Sequence, residues 1–231
     1  MMRKKFLKAL WIFVTGMALI SSCSKPEPKN LSQVISIKTD WKILSSEKLV
    51  GTEDQSISEN GFDVSGWYEG VVPGTVMGAL SDFKVIEDAT FGINMKNMDP
   101  TQFQKPWWYR STFKIAVEDL NKDVSLRFNG INYRADLWIN GKKVADNEKF
   151  AGSFRMFSFN INPYITAGEN TIALKISQYA DGEYLLGFCD WNPLPTDRSM
   201  GIFREVFLEI NEGVKIRSPF VYAKVDTVSK T

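Results

Sequence analysis

The sequence predicts an all-β fold, an antiparallel β-sandwich of the jelly-roll kind, and three observations carry that expectation. The first is alternation. Val124, Leu126 and Phe128 interleave with Asp123, Ser125 and Arg127; Ala135, Leu137 and Ile139 with Arg134, Asp136 and Trp138. Ile172, Leu174 and Ile176 interleave with Thr171, Ala173 and Lys175; Val206, Leu208 and Ile210 with Glu205, Phe207 and Glu209. Successive side chains of a strand point to opposite faces, so period two means one face buried and one wet. The second is turn chemistry. Asn140-Gly141 stands between "ADLWI" and "KKVAD", a strong hairpin signal, and Asn129-Gly130 and Ala167-Gly168 punctuate other strand ends. The third is the lack of any strand–helix–strand rhythm, which argues against a parallel sheet.

Taken in chain order, the first residues read as a targeting segment. Arg3, Lys4 and Lys5 precede the apolar run "ALWIFVTGMALI", which is short for a bilayer span and fits a signal peptide. It ends in Leu19-Ile20-Ser21-Ser22-Cys23, small residues followed by the one early Cys. This resembles a bacterial lipoprotein signal, with Cys23 as the lipidated first residue; an ordinary secretory signal cut near Ser22 is the alternative. The expected organisation is a signal peptide over 1–22, a polar tether over 23–30 and a sandwich over 31–217. Residues 218–231 read as the start of a following domain. With Cys23 lipidated, Cys189 has no partner, and a structural disulfide is not expected. The localisation that follows is export and anchoring to a bacterial membrane, on its periplasmic or cell-surface face.

Within the sandwich the one helical candidate is short, Thr75 to Leu80, just after Val72-Pro73-Gly74. Ser81 to Lys105 reads as a long connection across one face of the sheets. "WWYR", Trp107 to Arg110, leads into a strand, so one Trp of the pair is expected in the core and the other facing outward or toward a partner domain. Trp138 falls on the polar phase of its strand and is a second exposed or interface aromatic on that reading. For each ring singly, packing between sheet and loop is the favoured and plainer reading.

Composition excludes several function classes. Lys and Arg number 28 against 27 Asp and Glu, a net charge of +1, which gives no basis for binding nucleic acid. There is no His, which removes the commonest general base and metal ligand and makes zinc or non-haem iron sites unexpected. No cofactor is expected: phosphate-loop, dinucleotide and G-x-S-x-G patterns are missing. Backbone-rich calcium sites leave little trace in sequence and stay open. Asn147-Glu148 and Asn211-Glu212 are the Asn–Glu pairs a glycosidase would use, but both lie in turns that read as solvated. Glycosidases hold two carboxylates about 5–5.5 Å or 6.5–9.5 Å apart, and no spacing here does so. No catalytic residue is assigned.

"FCDWNPLPTDRSMGIFR", Phe188 to Arg204, stands apart from the strand pattern. Asp190 and Trp191 lie side by side in a segment stiffened by Pro193 and Pro195. A carboxylate can accept bonds from neighbouring sugar hydroxyls while an indole covers the apolar face of a pyranose. The alternative is a rigid loop in which Asp197 pairs with Arg198 and Trp191 fills a gap. On residue types alone the two stand level.

"VPGTV" (72–76), "PWWYRSTF" (106–113), "GINYRADLWINGKKV" (130–144) and "DWNPLPTDRSMGIFREVFLEI" (190–210) occur in one order. Together they resemble the N-terminal sugar-binding domain of glycoside hydrolase family 2, in the exo-β-glucosaminidase and β-mannosidase branch. The resemblance implies a jelly-roll, galactose-binding-like sandwich that packs on a (β/α)₈ barrel and lends a loop to its sugar pocket. Asp190 and Trp191 would contact the terminal β-linked sugar of an oligosaccharide. Arg198, with Arg204, would fix that loop and the domain contact. The catalytic Glu residues of the family belong to the barrel, which needs about 250 residues, so the expectation is a domain that is inactive by itself. A separate chain carrying the barrel, or a stand-alone surface lectin, are the two alternatives.

Overall fold

In the computed structural model the described residues are 32–183, 194–213, 215–216 and 219–225. Among them the strands are β1 (Ser32–Ser36), β2 (Lys42–Ser45), β3 (Tyr68–Glu69), β4 (Trp107–Ile115) and β5 (Asp123–Phe128). They continue with β6 (Arg134–Ile139), β7 (Lys142–Ala145), β8 (Phe157–Asn160), β9 (Gly168–Ser177) and β10 (Val206–Asn211). They form a four-stranded sheet, β1-β10-β5-β8, and a six-stranded sheet, β3-β2-β4-β9-β6-β7. Every pairing is antiparallel. The all-β antiparallel sandwich expected from alternation is the fold.

The apolar phase of each alternating stretch lies between the two sheets. Val124, Leu126, Phe128, Ala135, Leu137, Ile139, Ile172, Leu174, Ile176, Val206, Leu208 and Ile210 are all at most 2% exposed. Full burial of one such side chain contributes about 1.5–3 kcal/mol, so this layer sets the register: a one-residue slip would turn each set outward. Phe150 plugs one end of the layer, 5.0 Å from Phe128 and 4.7 Å from Phe157, ring centre to ring centre.

Local signals are met where they were read. Asn140 (φ 48°) and Gly141 (φ 77°) take the left-handed backbone of a type I′ turn and join β6 to β7. The short helix, α1 (Val76–Asp82), begins at Thr75, whose hydroxyl accepts from Gly78 N at 3.1 Å and so caps an otherwise unpaired N–H. Val76, Met77, Ala79 and Leu80 bury its apolar face. The long connection that follows contains one further short helix, α2 (Asn94–Asn97), and a single 3-10 turn whose Phe103 lies 6.3 Å from Trp107 in a stacked arrangement.

The Trp pair follows the plainer reading, packing between sheet and loop, and not the alternative in which one ring faces outward. Trp107 and Trp108 do point to opposite faces, but both are buried, at 3% and 1% exposure. Trp107 enters the layer between the sheets, while Trp108 joins Trp138, Leu44 and Ala173 on the outer face of the six-stranded sheet. That face is not wet, because residues 46–67 fold over it and set Ile57 and Trp67 on the indoles. Trp138 is therefore neither exposed nor an interface residue: it packs between sheet and loop. The polar residues of the same phase hold the cover in place. Arg110 donates from Nε to Ile57 O (2.9 Å) and from Nη2 to Glu59 O (3.0 Å). Thr171 Oγ1 donates to Asn60 Oδ1 (2.6 Å), and Lys175 pairs with Asp54 at 2.9 Å.

Candidate functional site

The four motifs that carry the resemblance meet at one place, around residues 195–202. Asp197 is fully buried. Its Oδ2 accepts from Met77 N in α1 (2.9 Å), its Oδ1 from Ser199 N (2.8 Å), and the Thr75 hydroxyl donates to it as well. Burial pushes this carboxyl above the usual carboxylate range, against the pull of those donors. Among the described residues no cation pairs with it. The alternative in which Asp197 pairs with Arg198 is thus set aside: the two side chains leave the turn in different directions.

Residues 197–200 form a tight turn closed by Met200 N donating to Asp197 O (3.0 Å). Arg198 (φ 53°) and Ser199 (φ 56°) both take left-handed backbone, at a cost of about 1–2 kcal/mol each for residues with a Cβ. Asn132 offsets this. Its Nδ2 donates to both carbonyls of the turn, Arg198 O (2.8 Å) and Ser199 O (2.9 Å), while its Oδ1 accepts from Ser153 Oγ (2.7 Å). Asn132 and Gly201 exchange backbone bonds of 2.8 Å in both directions. Gly74 N donates to Ile202 O (2.9 Å) and Val76 N to Met200 O (2.8 Å), which ties the "VPGTV" stretch to the turn.

Gly201 is where the packing leaves no room. A Cβ there would lie 2.7 Å from Gly74 O and 2.7 Å from Tyr109 Oη, with Thr75 Cα at 2.9 Å. Tyr109, from the second motif, is fully buried, and its hydroxyl has no hydrogen-bond partner among the described residues. Burial pushes the phenol far above its ordinary range, and the Asp197 charge adds to the shift.

Arg198 projects from this base. Its guanidinium lies over the Tyr179 ring, 4.9 Å from the centroid, and Nη1 is 3.4 Å from Asp181 Oδ1. Tyr179 meets Tyr133 edge-on at 6.4 Å, and Arg134 pairs with Glu183. Burial raises the Glu183 carboxyl, but the Ala180 N–H and Arg134 outweigh it and hold the group below its usual range. Arg204, the other arginine of the motif, is exposed and lies over Phe203, 5.6 Å from its ring. Beside the turn an open cleft of about 710 Å³ runs between Met77, Ile93, Met95, Met98, Leu194 and Thr196. Its walls are mostly apolar and thioether, and the Thr196 hydroxyl donates to Met95 O at its edge (2.9 Å).

Asp190 and Trp191, the expected sugar contacts, lie outside the described residues, as do Cys23 and Cys189. What is described is the frame on either side of them: Tyr179 to Glu183 before, Leu194 to Gly201 after. Glu148 sits exposed in the turn after β7 and Glu212 follows β10 in the other sheet. Asn147 is occupied by Asp136, donating from its backbone N and from Nδ2 at 3.2 and 2.9 Å. Two residues of the frame, Asp197 and Asn132, were not singled out from sequence as ligands of the turn. "TDRSMG" does carry a signal for the first, since an Asp two residues before a free N–H favours such a turn. Asn132, in plain "GINYR", carries none.

A family model, glycosyl hydrolase 2 galactose-binding domain-like, matches residues 41–185, more than half of the chain. The chain belongs to that family. Exo-β-D-glucosaminidase of Amycolatopsis orientalis is 32% identical over 177 residues, 76% of this chain and 17% of the relative. The mannosylglycoprotein endo-β-mannosidase of Lilium longiflorum is 31% identical over 176 residues, 65% of this chain and 18% of the relative. The crystal structure of the A. orientalis exo-chitosanase CsxA matches with a TM-score of 0.76 at 30% identity, over 84% of this chain and 22% of that one. A β-glucuronidase of Bacteroides uniformis shares the fold at a TM-score of 0.55 and 23% identity. The chain spans about a fifth of the length of these family 2 relatives. What it carries is the N-terminal, galactose-binding-like domain of glycoside hydrolase family 2, the domain the four motifs point to.

Proposed function

We propose that this domain forms one wall of a pocket for the terminal β-linked sugar of an oligosaccharide, with a glucosamine-type residue as the first choice. The names of the relatives, exo-β-D-glucosaminidases at 30–32% identity, support that choice. Asp190 accepts bonds from the sugar hydroxyls, Trp191 covers the apolar ring face, and Arg198 holds the loop that presents them. The single observation that carries the reading is the convergence of all four family motifs on the 195–202 turn, directly beside the segment that contains Asp190 and Trp191. A chain with a plain structural loop there has no use for two left-handed non-glycine residues and a buried carboxylate at its base.

The hydrolytic carboxylates of this reading come from a family 2 barrel, in the same polypeptide or in a separate chain that docks beside the loop. The wider setting proposed is an exported lipoprotein, with Cys23 lipidated and the domain tethered by residues 24–30 to the periplasmic or cell-surface face of the membrane. Two or three sugar contacts from one side are weak by themselves. A carboxylate–hydroxyl contact and one stacking face contribute about 2–3 kcal/mol, less than association costs of about 4 or more. The domain without a barrel therefore binds monosaccharides with Kd well above about 1 mM.

The test is a chimera in which residues 32–216 of this chain replace the matching part of the A. orientalis exo-β-D-glucosaminidase. It is expected to release nitrophenol from nitrophenyl β-D-glucosaminide, with kcat/KM falling at least tenfold on Asp190→Ala. An active chimera indifferent to Asp190→Ala overturns the site assignment. Micromolar glucosamine affinity of the domain alone, measured by calorimetry, overturns the one-wall reading in favour of a free-standing lectin.

A further inference from the structure

We infer that Asp197 is a positioning residue for the proposed sugar loop: its buried carboxylate sets the left-handed turn that aims Arg198 at Tyr179. The inference rests on the sugar-pocket reading for its purpose and on the described residues for its geometry.

The two carboxylate oxygens do separate jobs. Oδ2 is fixed to the framework by Met77 N (2.9 Å) and Oδ1 is fixed to the turn by Ser199 N (2.8 Å). One short side chain thus bridges α1 and its own turn. An ionised acceptor makes stronger bonds to N–H groups than a neutral one, and here those bonds stand without a paired cation among the described residues, which makes the burial costly. Simple packing is a poor account of such a group, since an apolar residue of similar size fills space without that cost. The turn explains it. Arg198 and Ser199 both adopt φ values that L-residues avoid, at 53° and 56°. Something must over-determine them, and the Asp197 carboxylate from below and the Asn132 amide from above do so.

The consequence is the direction of Arg198. With right-handed backbone at 198 the side chain would leave the turn elsewhere. In the observed turn its guanidinium reaches Tyr179 and Asp181. Those two residues flank the loop on one side and Arg198 flanks it on the other, so the contact joins the loop's two ends. Asp197 acts through the backbone of 198 and 199.

The experiment compares the full chain with Asp197→Asn, Asp197→Asn/Ser199→Gly and the core variant Ile172→Val by NMR. An amide at 197 cannot accept from both Met77 and Ser199, so D197N is expected to lose the nuclear Overhauser contacts between Arg198 and the Tyr179 ring. Amide exchange at Arg198, Ser199 and Met200 should rise at least tenfold, while amides of β9 stay within twofold. Glycine takes the left-handed backbone without a steric penalty, so S199G in the D197N background should restore the Arg198–Tyr179 contacts. Ile172→Val lowers stability without touching the turn and should keep them. Contacts that survive in D197N, that vanish equally in I172V, or that S199G fails to restore each overturn the inference. Should D197N not fold, Thr75→Val removes one donor to the same carboxylate and is expected to give a smaller change of the same kind. The chimera separates the two ideas. An active chimera indifferent to Asp190→Ala sinks the sugar reading while the turn contacts in the full chain still decide the role of Asp197. In an active chimera that depends on Asp190, Asp197→Asn is expected to lower kcat/KM at least fivefold.

Discussion

The rings of Trp108 and Trp138 lie 5.1 Å apart, tilted by 43°, on the outer face of the six-stranded sheet. Each also carries a lysine over its face, Lys175 at 5.5 Å and Lys143 at 5.1 Å. They form a second, smaller core, closed by residues 46–67, so the domain has three layers where alternation suggests two. Ile57 and Trp67 of the cover pack against this pair, so burial of the indoles ties sheet and cover together.

Removing one ring of that pair should behave as a core truncation. Trp138→Ala leaves a cavity under Ile57 and is expected to cost about 3–5 kcal/mol, read as a lower midpoint in urea. A loss under about 1 kcal/mol would mean that the 46–67 cover does not form.

The β6–β7 turn makes a sharper, smaller prediction. Gly141 has φ +77°, and a Cβ there would meet Glu59 Cγ at 3.1 Å. Gly141→Ala is expected to destabilise by about 1–2 kcal/mol from the left-handed backbone alone. Gly168→Ala also has positive φ but open space around it, so the difference between the two variants reports the Glu59 contact. Equal losses would remove that contact from the account.

Acid stability should depend on Glu209. Burial raises its carboxyl, but Lys215 and Arg127 outweigh that and hold it below its ordinary 4.5. A carboxyl lowered in the folded state lends stability that is fully present above the unfolded value and is lost as pH falls through the folded one. Below pH 4.5 the unaltered chain therefore loses this contribution, while Glu209→Gln, already less stable at neutral pH, has none to lose. The gap between the two, measured by urea unfolding at pH 7 and pH 3, should narrow on acidification. A gap that widens would show the sign to be wrong.

The anchor proposal is tested at Cys23. With lipid on Cys23 the protein partitions into the detergent phase of a Triton X-114 separation, and Cys23→Ser releases it to the aqueous phase. An intact mass equal to that of the unmodified chain rules lipidation out.

Much of this protein was determined by its sequence alone. Strand phase was legible because burial between two sheets imposes period two, and Val124, Leu137, Leu174 and Leu208 obey it without exception. The Asn140-Gly141 turn and the short helix after Val72-Pro73-Gly74 were legible because each follows from a local steric requirement that neighbouring residues state outright. The family was legible because four motifs keep their order. What only the tertiary structure decided is long-range. Trp138 and Arg110 look solvent-facing in any window along their strands, and only the return of residues 46–67, through Ile57 O and Glu59 O, makes that face interior. Asp197 sits beside Arg198 in sequence, where a charge pair is the natural reading. In space its oxygens are claimed by Met77, some 120 positions away in the chain, and by the turn it closes. Alternation records which face a side chain takes, and it holds no record of what later covers that face.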